Sequence, residues 1–223
     1  MMSTISRAAG AAIVSMLLFS SSALADGRPS YHVTITNLTN AVIFTPILVA
    51  SQRRAVPIFE LGAPASEELT AIAEGGDISG LKATLEADPH VVDVQDSGGP
   101  LMPGASVTII VSAKHGARRI SLASMMLPTN DGFIALDSVE VPRHGSKTYF
   151  SPGYDGGTAP NDESCMHIPG PICNGAGSSP GENPDDEGYE HSHRGIHGVG
   201  DLNPAVYDWR NPVAKVTVTR IRH

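Results

Sequence analysis

The sequence predicts a mainly β protein, an antiparallel β-sandwich of about eight strands with a short helical insertion and a long Gly/Pro-rich loop. Three observations predict it. Short segments of alternating or β-branched residues (31–37, 106–112, 213–221) recur between turn clusters of Gly, Pro, Asn and Asp. Residues 57–89 switch to a helical pattern. Residues 151–201 hold both cysteines, many glycines and prolines, and little periodicity, which marks a functional or unstructured connection.

The chain opens with a leader. Arg7 gives a positive start, residues 8–19 an apolar run, and Ala23-Leu24-Ala25 a small-x-small site, so a signal peptide cleaved after Ala25 is expected. The run is too short to span a bilayer comfortably. The expectation is a secreted or periplasmic protein without stable membrane insertion, residues 26–223 forming one domain. The formal net charge is −8, and loss of the leader removes Arg7 and no acid, giving −9. Such a balance argues against nucleic acid, whose phosphates need Lys and Arg. It suits a soluble protein that meets cations or basic partners.

The elements follow in order. Residues 31–37 alternate with Val33 and Ile35 on one face and end at Asn37-Leu38-Thr39-Asn40, a strand and a turn. Residues 42–50 form a second strand containing Pro46, which cannot donate to a ladder, so the strand lies at an edge or carries a bulge. Pro64 suits a first helical position, Glu67 and Glu68 the first turn, Leu69, Ile72 and Ala73 an apolar stripe, and Gly75-Gly76 a stop. A second helix spans 79–87, with Leu81 and Leu85 four apart, and ends before Pro89. Residues 91–94 and 106–112 read as strands. Residues 120–127 and 133–142 form a strand pair across Pro128-Thr129-Asn130-Asp131-Gly132, strong turn chemistry. Residues 147–150 are extended, 175–187 have the composition of a disordered segment, and residues 206–209 and the strand 213–221 close the chain.

Cys165 and Cys173 are close in sequence and even in number, which in an oxidising compartment predicts a Cys165–Cys173 disulfide. Closing so short a loop is worth about 2–3 kcal/mol at most.

Two residue sets point to metal chemistry. Asp131, Asp155, Asp162 and Glu163 lie in loops that can meet at one end of a sandwich, and Asp137 is a carboxylate inside a strand. Calcium takes six to eight oxygens without fixed geometry and suits ligands from separate loops. Full extension of residues 131–137 would part Asp131 and Asp137 by about 20 Å, so they share an ion only if the chain curls. The same acids also suit Asx turns. The second set is His191, His193 and His197, which with Asp201 suggest a zinc or copper site. No G-x-S-x-G or H-E-x-x-H motif points to a hydrolase, and Trp209 reads as a core anchor.

Several segments resemble one family. SMMLPTNDGFIALDSVEV is similar to the part of the spondin N-terminal domain in which an apolar strand meets a Pro-x-x-Asp loop and a Phe-x-x-x-Asp-Ser strand. Tyr154-Asp155-Gly156-Gly157-Thr158 resembles that family's Asp-Ala-Gly-Thr loop. Residues 31–49 and 212–221 are similar to its first and last strands, and Phe59–Leu69 (FELGAPASEEL) resembles its stand-alone bacterial members. The resemblance implies a C2-like sandwich with calcium between loops at one end, and a non-catalytic extracellular or cell-surface module that meets a protein or glycan in adhesion. Asp131, Asp155 and, by its Asp-Ser neighbour, Asp137 carry over. Two departures stand out: Gly132 where animal members have Trp, and an acid displaced to Asp162 or Glu163. The rival expectation is a zinc- or copper-dependent periplasmic enzyme using His191, His193 and His197.

Overall fold

A computed structural model describes residues 29–173 and 186–221; residues 1–28, where the signal peptide is expected, 174–185 and 222–223 lie outside them. Two antiparallel sheets form the body. The smaller is ordered β5-β1-β11-β8, from Ser106–Ser112, Ser30–Asn37, Ala214–Ile221 and Ser146–Ser151. The larger is ordered β10-β9-β7-β6-β3-β4, from His191–Ser192, Tyr154–Asp155, Gly132–Glu140, Arg119–Leu127, Leu48–Gln52 and Val91–Asp96, with β2 (Ile43–Phe44) also pairing with β6.

Alternation along β1 turns Tyr31, Val33 and Ile35 inward, where they meet Val216 and Val218 of β11 and Val49, Leu122 and Met126 of the large sheet. That shared core holds the two sheets face to face. The outer face of the small sheet carries hydroxyl pairs instead: Thr34 meets Thr108 and Thr148 meets Thr217 across strands (2.8 and 3.2 Å).

The large sheet is covered on both sides, which explains why β3 and β6 read as unbroken apolar runs. Val49 faces the inter-sheet core, while Leu48 and Ala50 face the helices α1 (Glu67–Gly75) and α2 (Ser79–Ala87) through Ile72, Leu81 and Leu85. On β7, Ile134 and Leu136 point into the sandwich; Phe133 and Ala135 pack under Leu69 and Ala73 of α1. The helices are therefore a third layer laid on the sheet.

Several expectations are corrected by local chemistry. The strand at 42–50 is broken at Pro46 into β2 and β3, and residues 45–47 stand opposite only 124 and 125, a one-residue bulge. β3 is internal, between β6 and β4, so the proline is accommodated by the bulge and not by an edge. Helix α1 begins at Glu67, three residues after Pro64, because Ser66 caps it by accepting the Leu69 N–H (3.2 Å). Residues 204–207 form one helical turn, α3 (Pro204–Tyr207), capped by Asn203 Oδ1 on the Ala205 N–H (2.9 Å). The strand count rises from eight to eleven through the short pairs β2, β9 and β10.

Asp137 sits on β7 where the β6–β7 register shifts. Its Oδ1 accepts the Ile58 N–H at 3.1 Å and faces the Ser121 and Ser138 hydroxyls. Burial raises its pKa, partly offset by these donors. A raised carboxyl pKa means the folded state holds the proton more tightly, so its contribution to stability declines as pH rises from the usual carboxylate range through the folded value. We therefore expect the melting temperature of Asp137→Asn, relative to the native chain, to be higher at pH 7 than at pH 4. Thermal unfolding at both pH values checks this, and the reverse trend would contradict it.

Candidate metal centre at the rim of the sandwich

Four segments converge at one end of the large sheet: the β6–β7 loop, the β9 loop, the strand β10, and the lead into α1. Ladder pairing of Gly132 with Asp155 sets the two acidic loops side by side. The Gly156 N–H donates to the Asp131 carbonyl (3.1 Å), and the Thr158 and Ala159 N–H groups donate to Asp131 Oδ2 (2.8 and 3.1 Å). Asp131 and Asp155 are both fully buried.

The third segment is held by β9 and by the lead into α1. β10 pairs with β9, opposing His191 to Asp155. Gly157, at φ 65°, donates room as well as a turn: a Cβ there would lie 2.3 Å from the Tyr189 carbonyl oxygen. From the other side, the Gly62 N–H donates to the Glu190 carbonyl, the Glu190 N–H to Ala63, and the Glu60 N–H to the Glu190 carboxylate (2.7 Å). Phe59 then packs against Phe133 and Tyr154, with ring centres 5.8 and 4.9 Å away. The FELGA stretch is thus a clamp that fixes His191 over Asp155.

The donor set is specific. Asp155, Glu187 and His191 each offer an atom within 4.8 Å of the others. The His191 Nδ1 lies 3.1 Å from the Ser192 carbonyl, so Nδ1 donates, and in the neutral ring Nε2 keeps its lone pair, 3.6 Å from Asp155 Oδ1. A lone pair facing a carboxylate is repulsive unless a cation or proton lies between them. Asp131 Oδ1, buried beside this group, has no hydrogen-bond partner. Burial pushes the Asp131 pKa well above the ordinary carboxylate value, and the negative Asp155 pushes it further. Burial raises Asp155 too, against opposition from Asn161, His191 and the Gly157 N–H. Among the described residues, no lysine or arginine forms an ion pair with either acid. Buried carboxylates without a basic partner suit a divalent cation.

His193 has a different part. Its Nδ1 accepts the Gly195 N–H (3.0 Å), so in the neutral ring the proton is on Nε2, which lies 3.9 Å from Asp155 Oδ2 and makes no hydrogen bond. Burial lowers its pKa to about 3, helped by positive Arg194. The buried ring is therefore a neutral N–H donor aimed at Asp155, stacked 4.9 Å from Trp209. It also accounts for Gly132. A Cβ at 132 would come 2.6 Å from Thr129 Oγ1 and 3.0 Å from the His193 ring, so His193 and Thr129 fill the space a side chain would need.

The other candidates lie apart from this cluster. Asp137 is six residues along β7 from Asp131, about 20 Å at strand rise. Asp162 accepts the Asn130 amide and the Ser164 N–H (2.8 Å each) and contacts His167; these donors overcome burial and hold its pKa below the usual value. Glu163 accepts backbone N–H groups from His197, Gly198 and Val199 (2.6, 2.6 and 3.0 Å). His197 is exposed and its Nε2 donates to the Arg194 carbonyl (3.0 Å). Asp201 Oδ2 accepts the Cys165 N–H (2.9 Å) beside the Cys165–Cys173 disulfide. These contacts tie residues 161–173 to 194–201. Glu187, which completes the cluster, stands at the end of the segment that composition marks as disordered, so no local signal singles it out.

An all-β sandwich with acidic loops gathered at one end defines the class. The chain belongs to the spondin N-terminal domain family, whose profile (Spondin_N) matches residues 32–151. No curated protein matches the chain. Family membership supports an extracellular spondin-type module, suggests a non-enzymatic one, and together with the disulfide is consistent with an extracellular protein. No helix among the described residues is long and apolar enough to cross a membrane.

Replacing Glu163 with Ala leaves three backbone donors without an acceptor. The expected cost is about 2–3 kcal/mol, since lost hydrogen bonds to a charged, buried group sit at the upper end of the range. Denaturant unfolding of Glu163→Ala measures it; a loss under 0.5 kcal/mol would mean the loop is held some other way.

Proposed function

We propose that this protein is an exported, non-catalytic module for extracellular or cell-surface interaction, whose acidic rim binds a divalent cation. Asp131, Asp155 and Glu187 supply oxygens, His191 Nε2 a nitrogen, and the Gly157 N–H and Asn161 amide orient Asp155. The observation that carries this reading is the buried, unpartnered Asp131 Oδ1 beside a second buried carboxylate. Calcium is the ion the family resemblance implies, and three carboxylates suit it. The bound ion would neutralise the buried acids and hold the β6–β7 loop, the β9 loop and β10 as one surface, on which an extracellular protein or glycan partner docks.

The imidazole favours a second reading. Calcium takes oxygen, whereas nitrogen from His191 with two or three carboxylates suits zinc or another first-row ion. The His191 Nδ1–H held by a backbone carbonyl is the usual support of a ligating histidine.

Ion binding is also folding free energy, so a cation at about one hundred times its Kd raises stability by about 2.7 kcal/mol. For a chain this size that is roughly 5–10 °C in Tm. The expected result is a reversible rise in Tm with calcium, abolished by chelator and by Asp155→Asn. His191→Ala should leave a calcium response largely intact but remove a zinc response. No shift with either ion at millimolar concentration would refute the cation reading.

A further inference from the structure

We propose that a cleft at the opposite end of the sandwich binds a small oxyanion, a phosphate or carboxylate group, between Arg118 and Arg220. β7 runs from Gly132 at the acidic rim to Glu140 at this cleft, about 27 Å of strand. The cleft encloses about 360 Å³ and is lined by Tyr31, Arg118, Glu140, Arg143, His144 and Arg220 with Val141 and Pro142. Three guanidinium groups in one concavity are notable in a chain of net charge −8.

The framework beneath them is fixed by the two sheets. Arg118 leads into β6; its N–H donates to the Gln52 carbonyl (2.8 Å) and its carbonyl accepts the Val141 N–H (3.0 Å). Arg220 lies near the end of β11, opposite Tyr31 of β1, and its N–H donates to the Gly145 carbonyl (3.0 Å). The Arg220 guanidinium rests 5.7 Å from the Tyr31 ring centre, and Nη1 is 3.4 Å from the Tyr31 hydroxyl oxygen, whose own proton goes to the Ala117 carbonyl (2.8 Å). Its Nε is buried and has no hydrogen-bond partner. A buried donor on a cation costs stability unless an acceptor meets it.

Arg118 and Arg220 are short of carboxylate partners among the described residues. Among the described residues Glu140 is the one carboxylate lining the cleft, and that group lies 3.5 Å from Arg119, a residue outside it. Among the described residues, no carboxylate forms an ion pair with Arg118 or Arg220. A guanidinium offers a planar fork matched to the two oxygens of a carboxylate or phosphate. The volume sits at the low end of small-molecule sites, the size of a sugar phosphate or a uronate. This reading is independent of the cation at the acidic rim.

The test is calorimetric titration of the exported chain with inorganic phosphate and, separately, glucuronate, at constant ionic strength set with chloride. Saturable binding of at least one is expected: phosphate alone would point to a phosphate ester, glucuronate alone to an acidic sugar. Arg118→Ser, at an exposed position that should not alter Tm, and Arg220→Gln should each weaken binding roughly tenfold or more, the loss of one charge-assisted hydrogen bond. Glu140→Gln should tighten it by removing a like charge. No saturation with either anion at millimolar concentration, or binding that Arg118→Ser leaves unchanged, would overturn the proposal.

Discussion

Two carboxylates pressed together away from water are the constraint on which the rim is built. Asp131 and Asp155 are both fully buried, and burial acts on each before any neighbour does. A protein that wished only to close two loops would place a Ser or Asn there and avoid the desolvation cost. Instead the surrounding backbone supplies partial compensation. Thr158 and Ala159 N–H groups serve one Asp131 oxygen, and Gly157 N–H and the Asn161 amide serve the two oxygens of Asp155. The remaining Asp131 oxygen is left over, and that surplus is what the proposed cation would answer.

The layers behind the rim can be read as the means of holding that arrangement. Phe133 follows Asp131 by two residues and is pinned from above by Leu69 and Ala73 of α1. The lead into the same helix clamps Glu190 through two main-chain bonds and the Glu60–Glu190 contact. The insertion therefore does two things with one stretch of chain. Its apolar stripe covers the outer face of the large sheet, and its N-terminal approach carries His191 to the acids. Neither helix is long enough to be stable alone, so the sheet and the insertion order each other.

Much of the scaffold was legible because its signals are local. Alternation in 31–37 and 213–221, the apolar stripe of Leu69, Ile72 and Ala73, and turn chemistry at 128–132 each specify structure within a few residues, and the structure follows them. Pro46 and Pro64 were less decisive because a proline states only what the backbone cannot do; the bulge and the Ser66 cap decided the outcome. The rim was half legible. Asp131 and Asp155 belong to turn-rich loops on neighbouring strands, so their convergence could be anticipated. The approach of Glu187 and His191 depends on Gly157 meeting Tyr189, thirty-two residues on, and on the clamp from residues 60–63, more than a hundred residues back, contacts for which sequence carries no period.

The family profile ends at residue 151, and the cluster does not. Asp131 falls inside the matched region; Asp155, Glu187, His191 and His193 fall beyond it. Gly132 links the two parts. It lies within the matched region, and a Cβ there would meet Thr129 Oγ1 at 2.6 Å inside that region and the His193 ring at 3.0 Å beyond it. A side chain at 132 would therefore press on both Thr129 and the buried His193. With glycine at 132, the His193 ring lies beside Asp155, and His191 stands two residues before it on the same segment. Whether the proposed ion would meet oxygen alone or oxygen and nitrogen therefore turns on residues 187–193, which lie beyond the matched region.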